Sequence, residues 1–201
     1  MSRTKAQIKE HFNVQAKEYD MSKCFKSIMT CYPYIFNTLA TIKYGNILDI
    51  GCGTGELLAT LLRDNPSIKE YGIDIAPNMI EAAKEKLPSK VELSVGDAEE
   101  LPYDNKQFDL VVMSFSFQYL INAEIALREV YRVLKKNGKL VIADEWIPSS
   151  LRKVKTLFGS SLEKLYDADE IKRILMDTGF EYVIWNKASS NSYITSCEKR
   201  Q

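Results

Sequence analysis

The sequence predicts an α/β protein: a single Rossmann-like, doubly wound sheet, mostly parallel, with helices on both faces and two helices ahead of it. Three observations carry this reading. From Gly45 onward, short apolar runs alternate with amphipathic helical patterns, and right-handed crossovers between parallel strands need such helices. The last two runs have no helical pattern between them, so they pair antiparallel at one edge. No repeat, low-complexity tract or linker divides the chain, so residues 1–201 read as one domain.

The elements follow in order. Ile8, Phe12, Ala16 and Tyr19 fall on one helical face. Phe25, Ile28 and Met29 start a second piece, broken at Pro33 and continued by Ile35, Phe36, Leu39 and Ala40. Residues 1–44 are therefore expected to be a helical cover. Asn46–Ile50 is a short apolar strand, and Leu57, Leu58, Leu61 and Leu62 mark the helix after it. YGIDI (71–75) is the next strand, and Pro77 opens the helix PNMIEAAKEKL. VELSV (91–95) and FDLVVMSF (108–115) are strands. Asn122 is expected to cap a helix carrying Ile125, Val130 and Leu134, ended by Gly138. KLVIADEW (139–146) completes a 45–146 core. In 147–201, a polar stretch to about Tyr166 precedes a helix with Asp167 and Glu170 as a capping box and Gly179 as its stop. YVIWN and SYITSC then form the edge hairpin.

Bulk properties exclude several function classes. Lys+Arg and Asp+Glu balance at 27 each, so bulk charge draws the chain neither to nucleic acid nor to anionic membranes. No apolar run approaches the ~20 residues of a membrane span. The opening MSRTKAQIKEHF has no apolar signal core, which predicts a cytoplasmic location. Cys24, Cys31, Cys52 and Cys197 make neither a CxxC pair nor a zinc spacing and read as reduced thiols. With His11 the single histidine, neither a metal site nor a His-based triad is expected.

The chemistry concentrates in ILDIGCGTGEL (47–57). Gly51, Gly53 and Gly55 follow a strand and open a helix, a pattern expected to bare N–H groups toward an anion at the carboxyl end of the sheet. Cys52, inside the loop, is a small filler rather than a nucleophile. Asp74 ends the second strand, where a carboxylate can accept from both hydroxyls of a ribose. Asp97 follows the third strand in GDAEELP, placed for an exocyclic amine, with the Ala98 N–H as a donor to a ring nitrogen. Two plainer roles stand beside these. Asp74 could cap the helix at Pro77, and Asp97 could bond N–H groups of its own loop.

ILDIGCGTGEL, YGIDIAPNMIEAAKEK, GDAEELPYDNKQFDLVVMSFSFQYL and ALREVYRVLKKNGKLVIADEW together resemble the class I S-adenosylmethionine-dependent methyltransferases, from Ile47 to Trp146. The opening HFNVQAKEYD is similar to that of the quinone-biosynthesis C-methyltransferases and related small-molecule branches. The resemblance implies a seven-stranded sheet with its last strand inserted antiparallel. It implies S-adenosylmethionine as cofactor and S-adenosylhomocysteine as product. Asp49 and the Gly51–Gly55 loop, with Cys52, would hold the methionine part, Asp74 the ribose, and Asp97 with Ala98 the adenine. Ile75, Met79, Ser114 and Phe115 would complete the pocket, and Tyr19 would close over it. The spacing G-x-G-x-G agrees: a pyrophosphate asks for G-x-G-x-x-G, and Asp49 repels phosphate while suiting an ammonium.

The acceptor pocket is expected over the fourth and fifth strands, from Ser114, Phe115, Phe117, Gln118, Tyr119, Asp144, Glu145 and Trp146. Phe115 and Phe117 alternate, so one is expected toward a ligand and one in the core. SFSFQYL offers no histidine base. Gln118 can orient an acceptor, and Glu145 is the remaining candidate base. The absence of [DN]-P-P-[YF] after the fourth strand argues against base or amide methylation, which leaves a small-molecule acceptor. The short 147–166 segment leaves either an open pocket or one covered by a second copy in a homodimer. Two other functions compete: a non-catalytic S-adenosylmethionine-binding sensor or assembly module, and a nicotinamide-dependent oxidoreductase, which the glycine spacing disfavours.

Overall fold

The structure, a computed structural model, describes residues 4–145, 164–189 and 192–200. Trp146, expected in the acceptor pocket, and the short segment 147–163 lie outside the described residues. None of the described helices is long and apolar enough to cross a membrane.

The N-terminal cover breaks into more pieces than the two predicted. Thr4 and Gln7 form a capping box that starts α1 (Lys5–Gln15), which tightens into a 3-10 turn at Ala16–Met21. Ser22 then caps α2 (Lys23–Met29), and Pro33 sits in the first turn of α3 (Tyr32–Leu39). Each new cap or proline restarts the helix, because a cap residue is extended and a proline fits only the first turn.

From β1 (Asn46–Ile50) the chain alternates as expected through α4 (Glu56–Asp64), β2 (Lys69–Asp74), α5 (Pro77–Lys86), β3 (Glu92–Val95), β4 (Phe108–Ser114), α6 (Ala123–Val133), β5 (Leu134–Glu145) and α7 (Ala168–Thr178). The hairpin β6 (Glu181–Lys187) and β7 (Ser192–Glu198) closes it. The seven strands lie in the order β3-β2-β1-β4-β5-β7-β6. Pairing is parallel from β3 to β5, and β7 enters antiparallel between β5 and β6. The order reverses between β1 and β4, which places a ligand-binding crevice at their carboxyl ends.

Both faces are buried. Leu127, Val130 and Val133 of α6 with Ile171 and Leu175 of α7 cover one. Ile35 and Leu39 of α3, Leu57, Leu58 and Leu61 of α4, and Ile80 and Ala83 of α5 cover the other. Each such valine, leucine or isoleucine contributes roughly 1.5–3 kcal/mol.

Two sequence expectations are corrected. β5 starts at Leu134 rather than Lys139, because Leu134 pairs with Phe108 and a register shift follows, with Asn137 left-handed at φ 62°. Asn122 stands at the N-cap of α6 without a side-chain cap bond. Its Nδ2 instead donates to Glu99 Oε2 at 3.0 Å.

Candidate functional site

The carboxyl ends of β1, β2 and β4 and the turn after β3 open into one cleft, roofed by α1 and the 3-10 turn. Gly51, Gly53 and Gly55 all take left-handed backbone, at φ +73°, +53° and +79°, a conformation that glycine adopts without steric cost. The expected bare N–H groups are not met at these positions. The N–H groups of Gly51 and Cys52 donate to the Ile73 carbonyl at 2.7 and 3.1 Å, and that of Gly55 to the Cys52 carbonyl at 2.9 Å. The Gly53 N–H donates to Asp74 Oδ2 at 3.0 Å. The glycines therefore supply backbone shape and space rather than donors. A Cβ at Gly53 would meet nothing within 4 Å, so the loop presents an open face there. At Gly55 it would come within 2.6 Å of Leu87 Cδ1, so that glycine permits α4 to pack on α5.

Asp74 lines the cleft, and its Oδ1 accepts the Ala76 N–H at 2.8 Å just ahead of α5, whose N-cap Ala76 carries no side-chain cap bond. Burial raises its carboxyl above the usual range, opposed by the N–H groups of Ala76, Gly53 and Ile75. Asp97 likewise accepts the Glu99 N–H, at Oδ1 and 2.9 Å, and faces the cleft. Its Oδ2 meets an unforeseen partner: Lys5 Nζ, from the first turn of α1, lies 2.6 Å from it and 2.7 Å from Glu99 Oε2.

Tyr19, Gly51, Gly53, Asp74, Ile75, Met79, Asp97, Ala98, Ser114 and Phe115 all line this cleft. Phe115, left-handed at φ 55°, turns the chain at the end of β4, whereas Phe117 is wholly buried in the core. Asp49 and Cys52 line a smaller recess beside it, which shares Tyr19, Gly51, Gly53 and Ser114 with the cleft and is walled by Phe25, Ile28 and Tyr32. Asp49 is buried, and among the described residues its Oδ1 has no hydrogen-bond partner; neither has Ser114 Oγ. Burial, and then the nearby Asp74 and Glu70 carboxylates, push the Asp49 carboxyl up to about 8. Such a group gains most from a cation that enters the recess.

Gln118 and Glu145 are not brought to the cleft or the recess. The Gln118 N–H donates to Asp144 Oδ2 at 2.8 Å and the Glu145 N–H to Asp144 Oδ1 at 2.9 Å, so the buried Asp144 ties the turn after β4 to β5. Sequence reasoning missed Lys5 in the cleft wall, where Phe12 also stands. It also missed Thr54, whose hydroxyl inside a glycine loop was the one available signal.

Residues 48–142 match the methyltransferase domain family. The malonyl-(acyl-carrier protein) O-methyltransferase of Priestia megaterium is 33% identical over 140 residues, which are 68% of this chain and 50% of that protein. The demethylmenaquinone methyltransferase of Thermotoga maritima is 36% identical over 106 residues, 53% of this chain and 46% of that one. The chain thus spans about half the length of these curated relatives. A chain from the complex between the Haloferax volcanii Trm112 methyltransferase activator and a methyltransferase superposes with a TM-score of 0.80 at 18% identity, covering 94% of this chain and 98% of that one. At that identity the likeness is one of fold. The match over residues 48–142 and the methyltransferase relatives together support a class I S-adenosylmethionine-dependent methyltransferase reading of this cleft.

Proposed function

We propose that the chain binds S-adenosylmethionine and transfers its methyl group to a small-molecule acceptor. The observation that carries the reading is the unpartnered, buried Asp49 Oδ1 beside the open face of Gly53, in a recess continuous with Asp74 and Asp97. Asp49 holds the ammonium of the amino-acid tail, Asp74 the ribose hydroxyls, and Asp97 with Ala98 the base. Tyr19, which lines both compartments, closes over the junction. The sulfonium supplies an activated methyl group and a good leaving group. The protein's part is alignment of the acceptor for in-line displacement, worth roughly 7–11 kcal/mol in favourable intramolecular cases. The acceptor lone pair forms the new bond to carbon as the carbon–sulfur bond breaks and sulfur keeps its electron pair.

A second reading, a non-catalytic S-adenosylmethionine sensor or assembly module, draws on the position of Gln118 and Glu145 outside the cleft lining. An acceptor that arrives deprotonated needs no base, so the same observation favours such acceptors if the chain is an enzyme. Calorimetry with S-adenosylmethionine, S-adenosylhomocysteine and NAD tests the cofactor: the first two are expected to bind and NAD not to. Binding of NAD alone, or of none, rejects the proposal. Uptake of labelled methyl by a metabolite pool then separates enzyme from sensor and identifies the acceptor.

A further inference from the structure

Asp20 follows Tyr19 directly in the 3-10 turn, and its carboxylate leaves the cover to grip the cofactor loop. Asp20 Oδ1 accepts the Thr54 hydroxyl at 2.6 Å, and Oδ2 lies 2.8 Å from Lys86 Nζ. Thr54 stands between Gly53 and Gly55 and is buried. Lys86, at the end of α5, also pairs with Glu56 Oε2 at 2.8 Å, in the first turn of α4. Four groups from the cover, the glycine loop, α4 and α5 thus meet at one point, one residue from the ring that lines both compartments. Tyr19 itself packs edge-on against Phe12 at 6.4 Å and Phe25 at 5.6 Å and lies against the small cluster of Ala16, Ala76 and Met79. These ring contacts are apolar, and the polar anchorage one residue on is that of Asp20.

We infer that Asp20 is a positioning residue: bonded to Thr54 and Lys86, it latches Tyr19 over the glycine loop and so sets how fast the cofactor leaves. This rests on the cofactor reading above. The ion pairs are partly exposed and individually weak, so the hydroxyl bond to a charged acceptor carries most of the latch.

The test compares wild type with Asp20→Ala, Asp20→Asn, Tyr19→Ala and the Tyr19→Ala/Asp20→Ala pair. Three quantities are read: S-adenosylhomocysteine dissociation constant and off-rate, melting temperature, and amide hydrogen exchange of residues 16–25 in the ligand-free protein. Asp20→Ala is expected to raise the off-rate about tenfold, the scale of a lost bond to a charged group. It should also speed exchange across 16–25 and barely move the melting temperature. Asp20→Asn, which keeps an acceptor for Thr54, should recover most of the affinity. In the Tyr19→Ala background, Asp20→Ala should add little, because the effect runs through the ring. Full additivity of the two substitutions, or an unchanged off-rate in Asp20→Ala, overturns the latch. If wild type does not bind S-adenosylhomocysteine, the cofactor reading fails, and the exchange data alone then decide whether Asp20 holds the cover down.

Discussion

Ser116 lies directly beneath Gly51. Its Oγ donates to the Ile50 carbonyl at 2.6 Å, and a Cβ added at Gly51 would collide with the Ser116 Cβ. At Gly53 the same added carbon meets nothing. Gly51→Ala must therefore displace the turn after β4 as well as accept left-handed backbone, and is expected to destabilise the fold by about 2–4 kcal/mol. Gly53→Ala carries only the backbone term, about 1–2 kcal/mol, yet its methyl occupies the open face. Chemical denaturation and calorimetry should show Gly53→Ala folded, with cofactor affinity reduced at least tenfold. Normal affinity in Gly53→Ala would remove that face from the site.

The Asp49 carboxyl, raised to about 8 by burial and by Asp74 and Glu70, predicts pH-dependent binding. An ammonium prefers the ionised form, so binding below pH 8 expels the proton. Affinity should rise between pH 6 and 7.5, by up to roughly tenfold per unit, with proton release visible as a dependence of the binding heat on buffer. Asp49→Asn should bind more weakly at pH 7.5 and lose the slope. A flat profile in wild type would show that Asp49 does not face the cation.

Local signals carried much of this protein into view. The glycine loop, Asp74 and Asp97 were legible because each sits at a strand end, and strand ends in an alternating α/β chain are countable. The bonds that connect distant segments were not. Lys5 meets Asp97 and Glu99 across the cleft, and Asp20 meets Thr54 and Lys86 from the cover. Each of these residues is an ordinary polar surface residue in its own neighbourhood. Asn122 lost its expected cap role to Glu99 for the same reason. Gly51 and Gly53 line the cleft and Gly55 does not, and only the fold shows that Ile73, Asp74 and Cys52 already take the N–H groups of all three.

Lys199 offers a test remote from the cleft. The residue is buried, and its Nζ donates to the carbonyls of Tyr131 at 2.6 Å and Leu134 at 2.9 Å while lying 4.6 Å from the Tyr131 ring centroid. It thereby caps the carboxyl end of α6, where the helix dipole favours a cation. Lys199→Met keeps the stem but leaves two carbonyls short of a donor. The expected loss is about 1–3 kcal/mol of stability by denaturant titration, with cofactor affinity unchanged. Stability within 0.5 kcal/mol of wild type, an order-of-magnitude threshold for surface changes, would deny Lys199 this role.

Glu70 is the residue that the fold tolerates at a cost. Reading the second strand as 71–75 left it outside, but β2 begins at Lys69 and buries Glu70, with neither carboxyl oxygen hydrogen-bonded among the described residues. Burial pushes this carboxyl up to about 7, partly opposed by Lys90. Its folded-state pKa thus exceeds the unfolded one, so the folded protein holds a proton that the unfolded chain has released. The stability this contributes is present below about pH 4.5 and is lost as pH rises toward 7, over which range the ionised form has to be kept in a site without donors. Glu70→Gln removes the ionisation. The variant should therefore gain on wild type as pH is raised from 5 to 8, by about 1–3 kcal/mol, read as the difference in denaturant midpoint at each pH. A difference that does not change with pH would mean that Glu70 finds a charge partner or water in solution and that its burial is relieved.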